Sequence, residues 1–128
     1  MKKIIPFLLA VFLLSACSAN SEKGADYMKI SMNEALEMMA RESDYIILDV
    51  RTVEEYNERH IPGAINIPNE TIGSAEIPEL PDKQQLIMVY CRSGNRSKQA
   101  SEKLVALGYT NIVEFGGIND WPGETVSK

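Results

Sequence analysis

Two short continuous apolar runs read as buried strands, residues 45–48 (Tyr-Ile-Ile-Leu) and residues 86–90 (Leu-Ile-Met-Val-Tyr), the second the strongest such signal in the chain. Runs of this length fit strands covered on both faces. Residues 112–115 (Ile-Val-Glu-Phe) form a third run, closed by Gly116-Gly117. Residues 64–67, between Pro62-Gly63 and Pro68, read as a shorter strand, and residues 27–30 as an edge strand at best. Between these runs the period changes. Ser31-Met32-Asn33-Glu34 has the Ser-x-x-Glu form of a capping box, with Leu36, Met39 and Ala40 following at helical spacing. The methionines there read as fillers of core gaps, not metal ligands. Thr52-Val53-Glu54-Glu55 is a second box, opening a short helix through Tyr56. Residues 97–107 place Ala100, Leu104 and Leu107 on one helical face, with Gly108 as the stop. Residues 69–83 carry Pro78 and Pro81 and are expected to be mostly loop, with one turn of helix at most. The alternation predicts an α/β fold, a parallel sheet with helices on both faces. The last patterned residues lie near Trp121.

The amino-terminal stretch is of another kind. Lys2 and Lys3 precede an uncharged apolar run of 11 residues, Ile4 to Leu14, too short for a membrane span of about 20. It fits the core of a signal peptide. Leu14-Ser15-Ala16-Cys17 resembles a bacterial lipobox, which implies cleavage before Cys17 and acylation of that cysteine with two or three chains, enough for stable anchoring. Residues 18–26 (SANSEKGAD) are small, polar and aperiodic, as in a flexible tether. The organisation expected is therefore a signal peptide over 1–16, a lipidated Cys17 and tether over 17–26, and one domain over 27–128. The domain would sit at the cell membrane, on its extracytoplasmic side.

Composition narrows the function. The 128 residues suit one compact domain, and 45% hydrophobic with 24% charged residues is ordinary for a globular chain. Without Lys2 and Lys3, 11 basic residues face 18 acidic ones, a balance of -7 that disfavours nucleic acid as a partner. The two cysteines are Cys17 and Cys91. With Cys17 lipidated, Cys91 has no partner for an intramolecular disulfide.

Cys91 follows a predicted strand and precedes a predicted helix, the place where α/β sheets put reactive groups. A strand that turns sharply into a helix leaves backbone N–H groups unpaired, and with the helix dipole these form a concave anion site. A thiol held there is stabilised as thiolate. Gly94 allows the curve. Arg92 and Arg96 add positive charge, and no acidic residue lies between Cys91 and Glu102. Ser93, Asn95 and Ser97 are candidate donors to the sulfur, Ser97 equally a candidate helix cap. The loop thus reads as a basic spot that attracts small anions.

Cys91-Arg92-Ser93-Gly94-Asn95-Arg96-Ser97 resembles the active-site loop of single-domain rhodaneses. Leu48-Asp49-Val50-Arg51, Glu54-Glu55-Tyr56, His60-Ile61-Pro62-Gly63-Ala64-Ile65-Asn66-Ile67-Pro68 and Gly116-Gly117-Ile118-Asn119-Asp120-Trp121 are similar to further marks of that family. Arg59 departs from it, standing where the family usually has Gly. The resemblance implies a three-layer αβα sandwich around a mostly parallel five-stranded sheet. It also implies transfer of sulfane sulfur from thiosulfate or a similar small anion to cyanide or a thiol, through a persulfide on Cys91, with neither metal nor organic cofactor. Arg92, Ser93, Gly94, Asn95, Arg96 and Ser97 would bind substrate, and Asp49 and Arg51 would brace neighbouring loops. His60 and Trp121 are expected to be structural. Related phosphatases and arsenate reductases space the cysteine and arginine by five residues. Here four separate Cys91 from Arg96, a tighter bowl suited to one sulfur atom. Family domains that only bind partners often lack the cysteine, so its presence favours an enzyme.

Overall fold

The computed structural model describes residues 26–128, so the expectations for the signal peptide, Cys17 and nearly all of the tether lie outside the described residues. Five strands form one sheet: β1 (Met28–Lys29), β2 (Tyr45–Asp49), β3 (Ile65–Asn66), β4 (Leu86–Cys91) and β5 (Ile112–Gly117). Their order is β1-β5-β4-β2-β3 and every pairing is parallel, so β4, the most apolar strand, lies at the centre. Three helices connect them: α1 (Met32–Arg41), α2 (Val53–Glu58) and α3 (Asn95–Ala106). A single 3-10 turn at Asn69–Thr71 interrupts the long loop, and another, Ile118–Asp120, follows β5.

The helix starts follow from side-chain chemistry. At α1, Ser31 Oγ accepts the Glu34 N–H at 3.1 Å while Glu34 Oε1 accepts the Ser31 N–H at 2.8 Å. Thr52 and Glu55 repeat the exchange at α2, at 3.2 and 2.9 Å. Such reciprocal caps satisfy two otherwise orphaned donors each. The third helix starts differently. It begins two residues before its apolar periodicity, with Gly94 at the cap in a left-handed conformation (φ 112°) and no capping side chain. Ser97 is therefore not the cap; it lies buried within the first turn.

Alternation along the strands decides which side chains reach the site. Ile87, Val89 and Cys91 of β4 face one way and pack with Ala100 and Leu104 of α3. Met88 and Tyr90 face the other way, with Ile47, Val113, Phe115 and Ala35 of α1. Fully burying one such aliphatic side chain contributes about 1.5–3 kcal/mol. Helices thus cover both faces of an all-parallel sheet, the α/β sandwich expected. The chain does not end its packing at Trp121: Val126 exchanges two backbone hydrogen bonds with His60, at 2.8 and 3.0 Å. Arg59 has extended backbone (φ -169°), so nothing there requires glycine.

Candidate active site

The segment Cys91 to Ser97 joins the carboxyl end of the central strand to the amino end of α3. At this end β4 slips register against β5, so that Cys91 stands opposite Gly117. The close approach needs glycine: a Cβ on Gly117 would land on the Arg92 carbonyl. The Asn119 N–H donates to that same carbonyl at 3.2 Å, tying the chain after β5 to the loop.

The loop closes around sulfur. The Gly94 N–H donates to Cys91 Sγ at 3.0 Å, and Ser97 Oγ is hydrogen-bonded to Sγ at 3.4 Å. Burial pushes the Cys91 thiol up, but hydrogen bonds from the Ser97 hydroxyl and from the backbone of Ser97, Gly94 and Ser93 outweigh it. The thiol lies below its ordinary value as a result. Cys91 is also nearly covered, at 1% exposure. Beside the loop is a cavity of about 250 Å³ lined by Lys29, Ser93, Gly94, Asn95, Lys98 and Gly116. Asn95 is exposed, and of the loop side chains only Ser97 reaches the sulfur.

The two loop arginines do not stand free, which corrects the reading of an unopposed basic spot. Arg92 donates to Glu55 Oε2 through Nε at 3.2 Å and Nη2 at 2.8 Å, and Arg96 to both Glu55 oxygens at 2.8 and 3.1 Å. The two guanidinium groups, with Arg96 the stronger partner, hold the Glu55 carboxyl well below the usual carboxylate range. No acidic residue is near in sequence, but the fold brings one from the first turn of α2. Two positive charges against one negative still leave the mouth basic. Glu55 is a site residue that the capping pattern disguised, since it serves as both cap and clasp.

Asp49 and Arg51 lie on the other face of the sheet from Cys91 and do not touch it. Their guanidinium–carboxylate pair is buried (0% and 3% side-chain exposure) with a closest contact of 2.7 Å. The Tyr90 hydroxyl donates to Asp49 Oδ2 at 2.5 Å, and Arg51 Nη2 donates to the Arg59 carbonyl at 2.6 Å. The pair thereby ties the strand residue preceding Cys91 to the turn after α2. His60 stacks on Tyr56 with ring centroids 3.7 Å apart and pairs through Nδ1 with the Tyr56 carbonyl at 2.7 Å. Trp121 packs against the core cluster on the α1 face. A buried carboxylate missed from sequence, Glu114 of β5, accepts from Ser97 Oγ at 2.5 Å. Its signal was there: a charge inside a strand expected to be covered on both faces.

Residues 31–124 match the model of the rhodanese-like domain. The chain belongs to the rhodanese family. Residues 1–18 match the prokaryotic membrane lipoprotein lipid attachment site, and among the described residues no helix is long and apolar enough to cross a membrane. The thiosulfate sulfurtransferase PspE of Escherichia coli is 41% identical over 57% of this chain and 70% of its own length. The putative sulfur carrier protein YrkF of Bacillus subtilis is 31% identical over 92% of this chain and 63% of its own length. Among solved structures, a rhodanese with anions from E. coli superposes with a TM-score of 0.60 at 37% identity, covering 66% of this chain and 99% of that one. A rhodanese-like domain protein from Staphylococcus aureus gives 0.65 at 30% identity, covering 79% and 98%. Family and relatives together support sulfurtransferase activity of the rhodanese type.

Proposed function

We infer that this rhodanese moves a sulfane sulfur from thiosulfate or a similar anionic donor to a thiol or cyanide through a persulfide on Cys91. The observation that carries the reading is a single thiol whose ionised form is favoured by a ring of hydrogen bonds, at the end of the central strand. In the first step the Cys91 thiolate attacks the outer sulfur of thiosulfate. The donor's S–S bond breaks, sulfite leaves with the electron pair, and a Cys91–S–S⁻ persulfide forms. In the second step the acceptor, as cyanide or a thiolate, attacks the outer sulfur, the bond between the two sulfurs breaks, and the Cys91 thiolate leaves. Neither step removes a proton from carbon or oxygen, so no general base acts on substrate. Loop N–H groups stabilise the anionic sulfur throughout, and Arg92 and Arg96 attract the anionic donor while Glu55 fixes their positions. Asp49 and Arg51 hold the strand end behind the site. Because Cys91 is nearly covered, the donor's sulfur reaches it by a small displacement of the short loop.

The lipid attachment match supports anchoring through Cys17, with residues 17–26 as tether and the domain on the extracytoplasmic side. The likeness to a putative sulfur carrier along nearly the whole chain supports a carrier role as the variant of this reading, with sulfur delivered by a protein donor. The test is incubation with thiosulfate followed by intact-mass measurement and a thiocyanate assay with cyanide. The expected result is a mass gain of one sulfur atom, removed by cyanide and absent in Cys91→Ser. Loading only from a protein persulfide would select the carrier, and no loading from any sulfane donor would refute both.

A further inference from the structure

Among the described residues Glu114 is the one fully buried carboxylate on the Cys91 face of the sheet, and the sulfur chemistry above leaves it unused. Its Oε2 accepts from Ser97 Oγ at 2.5 Å and from the Gly116 N–H at 3.0 Å, and its Oε1 is 3.2 Å from Lys29 Nζ. Ser97 Oγ is in turn 3.4 Å from Cys91 Sγ and 3.4 Å from the Gly116 carbonyl. The Ser97 hydroxyl has one hydrogen. It cannot be donated to a thiolate and to a carboxylate at once. Two arrangements satisfy every group: S–H to Ser97 with Ser97 O–H to Glu114, or Glu114 O–H to Ser97 with Ser97 O–H to the thiolate.

We propose that Glu114 is a positioning residue that shares one proton with Cys91 through the Ser97 hydroxyl. Conversion of one arrangement to the other moves the thiol proton to Ser97 Oγ while the Ser97 proton moves to Glu114 Oε2. No bond between heavy atoms changes, and the pair carries one negative charge before and after. The sulfur becomes an anion without a proton leaving the covered site. When Cys91 takes up sulfur from a donor, Glu114 keeps that proton, and it returns when the thiolate is released.

The other charged groups around Glu114 set the bias. Lys29 comes from the edge strand and is 61% exposed on its side chain; Lys98 lines the cavity beside the loop with Lys29. Tyr27, ahead of β1, is pushed up by burial first, then by the charges of Glu102 and Glu114. Arg96, on the mouth side, is committed first to Glu55 and only then to the charge of Cys91. Of these, Lys29 alone touches the Glu114 carboxylate, and it favours the charged form.

Lys29→Ala therefore separates this coupling from simple electrostatics. Removing a cation near a thiolate should slow Cys91 if charges act only through space. Under proton sharing, Glu114 without Lys29 takes the proton more readily, and Cys91 becomes more reactive. The proposal rests on Cys91 as the nucleophile, so the assay omits sulfur donors. The full chain in detergent is titrated by thiolate absorbance with Cys91→Ser as blank, and Cys91 alkylation by iodoacetamide is followed by mass. Expected results are a rise of about two- to fivefold in the alkylation rate at neutral pH for Lys29→Ala, the size of one exposed ion pair. The thiolate titration of the unaltered chain should show two steps, reduced to one in Glu114→Gln. A slower or unchanged rate in Lys29→Ala, or an unchanged profile in folded Glu114→Gln, overturns the proposal. A Cys91 that never ionises or alkylates in the unaltered chain would instead overturn the sulfur-transfer reading itself.

Discussion

Removing one member of the buried Asp49–Arg51 pair should cost this domain a large share of its stability. In Asp49→Leu the Arg51 guanidinium, 3% exposed, loses the carboxylate it pairs with, and the Tyr90 hydroxyl and the Arg51 N–H lose their acceptor. Leaving one buried charge unpaired costs about 3–5 kcal/mol, against a total of roughly 5–15 kcal/mol for a domain. For a domain of about 100 residues this is a fall in Tm of roughly 15–30 °C. Arg51→Met should cost a similar amount, because Asp49 then stays buried without its cation, held only by the Tyr90 hydroxyl and the backbone N–H of residue 51. The double variant is the decisive case. With both charges gone, the Tyr90 hydroxyl, the Arg59 carbonyl and the backbone N–H of residue 51 lose their partners, at about 1–2 kcal/mol each, so the double should cost well below the sum of the singles. Denaturant melts of the three variants, with the slope checked for constancy, give the numbers. Singles costing under about 1 kcal/mol, or a double equal to the sum of the singles, would refute the account of a mutually dependent buried pair.

Other substitutions probe the loop. Gly117→Ala sets a methyl group on the Arg92 carbonyl; it should cost about 1–3 kcal/mol and slow Cys91 alkylation, read by melting and by iodoacetamide. Ser97→Ala deletes the side-chain hydrogen bond that pulls the thiol down, leaving burial opposed by backbone donors alone. The half-point of thiolate absorbance should then move to higher pH. Glu55 is held below the usual carboxylate range, so its stabilising contribution is full above the unfolded value, about 4.3, and is lost as pH falls below it. The stability gap between the unaltered chain and Glu55→Gln should be constant near neutrality and shrink in strong acid, as followed by thermal melts across pH.

The fold was legible wherever a pattern is local. Both capping boxes, the buried runs at β2 and β4, and the stop at Gly108 depend on neighbours in sequence, and each element forms where its pattern predicts. The start of α3 was misplaced because its first turn is polar: Asn95 and Arg96 face the site, so apolar periodicity begins only later. The site was half legible. Cys91 and the curve at Gly94 could be read from one heptapeptide. Glu55 and Glu114 could not be assigned, because each meets the loop only through tertiary packing, 41 residues from Arg96 in one case and 17 from Ser97 in the other. Local charge counting therefore overstated how basic the mouth is.

The near-complete cover over Cys91 has a consequence for chemical selectivity. A sulfhydryl open to solvent reacts with whatever electrophile diffuses past, including bulky disulfides that would cap it. At 1% exposure, the Cys91 sulfur should react far faster with a small reagent than with a bulky peptide disulfide. Under the proposed mechanism a sulfur carried on Cys91 would share that cover, and its lifetime would depend on the loop around it as well as on the strength of its bond.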